Sequence, residues 1–190
     1  MYKPLRHVLI ACLATGLASG TALAGDDTPP VFGWVEKATI EEPWGAEVKV
    51  KLDSGALTSS MQAEDIERFE RDGEEWVRFV VEVEDEATEE VVSKTFERPV
   101  LRNLILTGAG GKDRRPAVLM TLCIGDTRYE EQFTLEDRDN LIYPVLLGRR
   151  TIQDLGLLDV TRTFVHDLAC DENTPLRQHE DKELDDDIGI

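Results

Sequence analysis

The sequence predicts a mainly β chain folded as a small closed or partly closed barrel, and three observations carry that expectation. Val48, Val50 and Leu52 alternate with Lys49 and Lys51, the period of two of a half-buried strand. Val77, Phe79, Val81 and Val83 repeat the pattern on one face. Gly125-Asp126 separates apolar runs at 117–124 and 129–135, the two-residue spacing that suits a tight hairpin. Short strands at regular spacing with little helix pack as a barrel, since closure removes exposed edges.

Taken in order, the chain opens with Lys3 and Arg6 ahead of an apolar run over 8–24 that ends in Ala22-Leu23-Ala24. This predicts a cleaved signal peptide, residues 1–24, followed by a linker at 25–30. The run is too short and too rich in Ala and Gly to be a good membrane span. Leu9-Ile10-Ala11-Cys12 fits the lipoprotein pattern, but cleavage there would leave almost no apolar core ahead of the site. The expectation is therefore a soluble periplasmic or secreted protein with no membrane insertion after signal removal.

One domain is expected over 31–168, a length ordinary for a single core. After the first alternating strand, Asp53-Ser54-Gly55-Ala56 forms a turn and runs into Thr58, Ser59 and Ser60. A short helix is predicted from 59 to 73: Ser59 with Gln62 has the form of a capping box, Ile66 and Phe69 share a helical face, and Gly73 sits where a helix stops. Further strands follow at 76–83, 91–96 and 100–106. Thr107-Gly108-Ala109-Gly110-Gly111-Lys112 is a glycine-rich connection, either a mobile flap or an ordinary surface loop. Past the hairpin, an apolar strand ends at Leu146-Leu147-Gly148 and a helix continues through Leu155. The acidic stretch 169–190 lacks apolar periodicity and reads as a disordered tail.

The formal net charge of −18, or −20 once Lys3 and Arg6 leave with the signal, argues against nucleic acid and anionic membrane as partners. Cys123 and Cys170 remain after signal removal, open to one disulfide or to two separate thiols. His166 and Cys170, with Cys123 as a third group, lack the spacing of a zinc site. Arg114 and Arg115 either hold a substrate carboxylate or simply begin a strand.

Asp53-Ser54-Gly55-Ala56 with Thr58-Ser59, and Leu146-Leu147-Gly148-Arg149 about ninety residues later, resemble the paired motifs of retropepsin-like aspartic peptidases. With "AEDIERF" and "YPVLLGRRTI", the chain is more narrowly similar to the bacterial family labelled an ATP-dependent zinc protease and associated with RimK-type ligases. The resemblance implies a retropepsin-like barrel with one or two short helices, and a catalytic Asp53 at the two-fold axis of a homodimer. Two carboxylates held together share one proton, so one activates water and the other donates to the scissile carbonyl. Ser54 would tie the two loops across the axis, and Gly55 would supply conformational freedom and close approach. Ala56, Leu147 and Gly148 would line the substrate floor, with Thr107, Gly108, Ala109, Gly110 and Gly111 as the flap.

Gln62 stands where many relatives are expected to carry His, so no role attached to that His transfers. The label's zinc and ATP find no support, because the sequence has neither a His-Glu-x-x-His helix nor a phosphate-binding Gly-rich Lys-Ser/Thr loop. The expected function is an exported aspartic endopeptidase acting on a peptide or protein, without cofactor or metal. The alternative is a non-catalytic module that binds peptides or cell-wall fragments, and metal-dependent hydrolysis is a third option.

Overall fold

In a computed structural model of the chain, residues 28–40, 44–108 and 111–181 are described. The predicted signal peptide, Cys12 and residues 25–27 of the linker lie outside the described residues. The strands are β1 (Val31–Gly33), β2 (Val35–Ile40), β3 (Ala46–Leu52), β4 (Ser59–Gln62), β5 (Glu64–Arg71), β6 (Glu74–Asp85), β7 (Glu90–Pro99), β8 (Arg102–Gly108), β9 (Gly111–Ile124) and β10 (Thr127–Glu136). There follow β11 (Val145–Leu147), helix α1 (Arg149–Leu155), β12 (Leu157–Asp159), β13 (Leu176–Arg177) and a 3-10 turn (His179–Asp181).

The predicted barrel closes as a ring of strands. β10 pairs with β4, β4 with β11, β11 with β3, β3 with β2, β2 with β9, and β9 returns to β10 through the Gly125-Asp126 hairpin. Alternation along β3 sends Ala46, Val48, Val50 and Leu52 into the interior. There they meet Ile40, Met61, Leu122, Phe133, Leu135, Val145 and Leu147, all buried. Apart from Ala46, each such side chain contributes about 1.5–3 kcal/mol through burial.

The segment 59–73, predicted as a helix, is instead two strands. β4 is buried along its whole length inside the ring, where Ser59 and Met61 face Phe133 and Leu135 in parallel register. β5 leaves the ring to pair antiparallel with β6. Asp72 and Gly73 have φ of 54° and 83°, so they form a reverse turn with both central residues left-handed, the kind that matches strand twist. Phe69 meets Trp76 across that hairpin with ring centroids 6.4 Å apart, and the Arg71 guanidinium lies 4.3 Å from the Trp76 ring. The three-stranded sheet β5–β6–β7 covers the barrel with Val77, Phe79, Val81 and Phe96.

The stretch 169–181 also departs from its expectation as a disordered tail. Cys170 is bonded to Cys123 with Cα atoms 6.1 Å apart, and β13 pairs with β10. Composition pointed to disorder, but a covalent tie and a strand edge supply what apolar burial does not. Residues 182–190 lie outside the described residues. A second anchor is Glu36, fully buried on β2, whose carboxylate accepts the backbone N–H groups of Gly33 at 2.6 Å, Val165 at 2.9 Å and His166 at 3.3 Å. It fastens the stretch after β12 to the first strands.

Candidate active site

β3 delivers Asp53. Alternation puts Lys51 and Asp53 on the same side, and the strand ends where the Asp53 N–H donates to the Leu147 carbonyl at 2.8 Å. The following turn closes when the Ala56 N–H donates to the Asp53 carbonyl at 3.1 Å. The Asp53 carboxylate is then held at both oxygens. Lys51 Nζ lies 3.0 Å from Oδ2, and the Gly55 N–H donates to Oδ1 at 2.9 Å. Lys51 foremost, and then the Gly55 amide, hold this carboxyl below the ordinary Asp range against an opposing effect of burial. The Asp53 side chain keeps 26% of its surface open, so it is both fixed and accessible.

β11 is inserted between the two strands that flank this loop. It runs parallel to β3, with Leu147 opposite Leu52, and antiparallel to β4, with Leu146 opposite Ser60. The loop 53–58 therefore bridges over the end of β11. Gly148 follows at once, and a Cβ on it would meet the Thr58 carbonyl carbon at 2.7 Å. Only glycine allows this approach. The N–H groups of Arg149 and Arg150 donate to the carbonyls of Ala56 and Leu57 at 2.9 and 3.3 Å. The first turn of α1 is thus capped by the loop itself. The Arg149 guanidinium adds a bond to the Ser54 carbonyl at 2.9 Å.

The structure brings Asp53, Ser54, Gly55, Ala56, Leu147 and Gly148 into one cluster. Gly55 has no positive φ, and its N–H is given to Asp53. A Cβ there would come within 3.1 Å of Asp53 Oδ1. Thr107 and Gly108 pair with Lys112 and Gly111 at the end of the β8–β9 hairpin. Ala109 and Gly110, the expected tip of the flap, lie outside the described residues.

Several neighbours were not among the expected site residues. Lys51 could have been, since it lies two residues before Asp53 on an alternating strand. Ser59 and Thr151 share a buried hydrogen bond of 2.8 Å, while Arg138 reaches the Ser60 hydroxyl at 3.4 Å and the Tyr143 carbonyl at 3.1 Å. Burial draws Arg138 below its ordinary pKa, with the Glu136 carboxylate opposing. Gln62 braces this corner: its Nε2 donates to Glu64 at 3.0 Å and Asp139 at 2.5 Å, and its Oε1 accepts the Arg138 N–H. Beside it Leu141 and Ile142 are exposed on the loop leading to β11.

The described residues do not gather into a metal site. Both sulfurs of Cys123 and Cys170 are in the disulfide, His166 Nε2 lies 2.9 Å from the Val31 carbonyl oxygen, and no group of three or more His, Cys, Asp or Glu residues among them could hold an ion. Arg114 and Arg115 lie within β9, where Arg115 pairs with Asp113 at 2.5 Å and also with Glu136.

Comparison with known proteins gives a consistent picture. The family model described as RimB-like, retropepsin-like aspartic endopeptidase RimB, matches residues 31–168. Two curated relatives are named probable alpha-L-glutamate ligase. The one from Desulfotalea psychrophila is 30% identical over 72% of this chain and 29% of its own length. The one from Shewanella pealeana is 31% identical over 62% of this chain and 25% of its own. The chain thus spans between a quarter and a third of those relatives. A crystal structure of a Legionella pneumophila protein of unknown function is similar with a TM-score of 0.59 and 30% identity, covering 71% of this chain and 96% of that one.

Proposed function

Because the chain belongs to the RimB-like family of retropepsin-like aspartic endopeptidases, we propose that it hydrolyses peptide bonds with two Asp53 carboxylates, one from each protomer of a homodimer. The observation that carries this reading is the Asp53 loop: an accessible carboxylate at the end of a strand, clamped from below by Leu147, Gly148 and the first turn of α1.

A single chain supplies one such carboxylate, and two-fold pairing supplies the second. With one proton shared between them, the ionised Asp53 takes a proton from water as the oxygen attacks the scissile carbonyl, and the protonated one donates to the carbonyl oxygen. As the tetrahedral intermediate collapses and the C–N bond breaks, the nitrogen takes the proton that the first Asp53 removed from water, and a diol hydroxyl returns a proton to the second, restoring the shared proton. Ser54, exposed at the tip of the turn, is the residue to tie the two loops across the axis. The substrate lies extended as an added strand, covered by the paired ends of β8 and β9.

The names of the curated relatives make peptides with α-linked glutamate the substrate class to test first. Lys51 and Arg149 put positive charge around the loop in keeping with that choice. Action after export, in the periplasm or outside the cell, is supported by the leading apolar segment and by the Cys123–Cys170 disulfide.

The test is Asp53→Asn together with light scattering of residues 25–190. Loss of cleavage with the fold retained, in a protein that dimerises, supports the mechanism. Full activity in the variant sinks it, and a strict monomer turns the reading to a binding module.

A further inference from the structure

Beneath the Asp53 loop a chain of buried hydrogen bonds runs away from the carboxylate, and the proposed reaction does not use it. The Gly148 N–H donates to Ser59 Oγ at 3.0 Å, Ser59 Oγ lies 2.8 Å from Thr151 Oγ1, and Thr151 Oγ1 donates to Glu131 Oε2 at 2.8 Å. Ser59, Thr151 and Glu131 are each about 2–3% exposed. A hydroxyl carries one proton, so the order of donors is fixed. Thr151 spends its proton on the carboxylate and must accept from Ser59, which in turn accepts from Gly148.

Three elements meet in this relay: β4 through Ser59, α1 through Thr151 and β10 through Glu131. A carboxylate taken out of water costs several kcal/mol unless it is bonded, and Thr is a weak helix former, so neither residue is explained by its own element. Thr134 adds a further bond from its hydroxyl to the Ser59 carbonyl at 3.1 Å. The relay ends on Gly148, where an added Cβ would collide with the backbone of Thr58 and whose neighbour Leu147 accepts the Asp53 N–H.

We propose that Glu131, acting through Thr151 and Ser59, is a positioning residue for Asp53: it fixes the junction of β11 and α1 against the loop and so sets where the carboxylate stands. This rests on Asp53 being the catalytic group as proposed above. Displacements of about 1 Å at a catalytic group cost up to about a hundredfold in rate. A relay that reaches Asp53 only through Gly148 and Leu147 is expected to cost less, about tenfold.

The experiment compares Thr151→Val, which removes the hydroxyl, with Thr151→Ser, which keeps it, in the intact protein. Thr151→Val is expected to lower kcat on a glutamyl peptide about tenfold with KM within about twofold, and Thr151→Ser to return kcat to within about twofold of the parent. Glu131→Leu is expected to act in the same direction, and the Thr151→Val/Glu131→Leu double variant to lose no more than the larger single loss, because both cut one chain. Amide hydrogen exchange supplies a readout independent of turnover. Exchange of amides in 53–59 and of Gly148 should rise at least about tenfold in Thr151→Val while amides of β6 and β7 stay as in the parent. Parent-like kcat in Thr151→Val, failure of Thr151→Ser to recover, additive losses, or unchanged exchange in the loop each overturn the proposal. If the parent protein cleaves nothing, the peptidase reading falls, and the exchange measurement still decides whether the relay clamps the loop.

Discussion

Replacing Lys51 by Met tests whether the ammonium beside Asp53 controls its ionisation. Lys51 Nζ stands 3.0 Å from Asp53 Oδ2, with the two side chains 37% and 26% exposed. A pair this open is screened by water, so the contact is expected to be worth about 0.5–1 kcal/mol rather than its full Coulomb value. Because Lys51 lowers the Asp53 pKa, Lys51→Met should raise it. A carboxyl NMR titration reads the shift directly, and the acid limb of the kcat/KM profile should move to higher pH with it. The sign for stability follows from the depressed folded value: the pair stabilises above the ordinary Asp range and ceases to do so as pH falls through the folded pKa. The thermal midpoint of the variant should therefore be lower near neutrality and equal to the parent's in strong acid. An unchanged or lowered Asp53 pKa would refute the reasoning and leave the Gly55 N–H as the controlling partner.

Two other outcomes follow from the packing around the loop and from the disulfide. Gly148→Ala places a methyl 2.7 Å from the Thr58 backbone; it should lose about 1–3 kcal/mol of stability, read by denaturant titration, and most of any turnover. Cys170→Ser opens a cross-link spanning 47 residues, for which loop closure gives about 4 kcal/mol as an upper figure. Calorimetry should show a loss of about 2–4 kcal/mol, and a reducing agent should reproduce it in the parent but not in the variant.

The candidate site was legible where local pattern and tertiary structure agree. The alternation of Val48, Val50 and Leu52 placed Asp53 at a strand end, and the apolar run through Leu147 announced the strand that ends at Gly148. The helix predicted over 59–73 failed for an identifiable reason. Ile66 and Phe69 are spaced as on a helix, but β5 lies outside the ring, with Ile66 38% exposed. Its period is therefore not written by burial. Gly73, read as a helix stop, forms a hairpin turn with Asp72, and the register of β5 shifts between Glu64 and Glu67, which further obscures a period of two. The polar anchors could not be read at all. Glu36 and Glu131 look like any acidic residue in an acidic chain, and only the fold brings backbone N–H groups to one and a threonine hydroxyl to the other.

The insertion of β11 between β3 and β4 has a kinetic consequence. Asp53 takes its backbone partner from Leu147, and β11 pairs with β3 across about ninety residues of intervening chain. The loop cannot adopt its native form until that distant strand has been synthesised and threaded into place. Contacts of such long sequence separation form late and slow the folding of a β protein. A growing or partly folded chain therefore carries Asp53 on an unsupported loop, and catalytic geometry arrives only with the completed barrel. Pulse-labelled exchange during refolding should show the Asp53 and Gly148 amides gaining protection together, after the β5–β6–β7 meander, whose neighbours in space are neighbours in sequence.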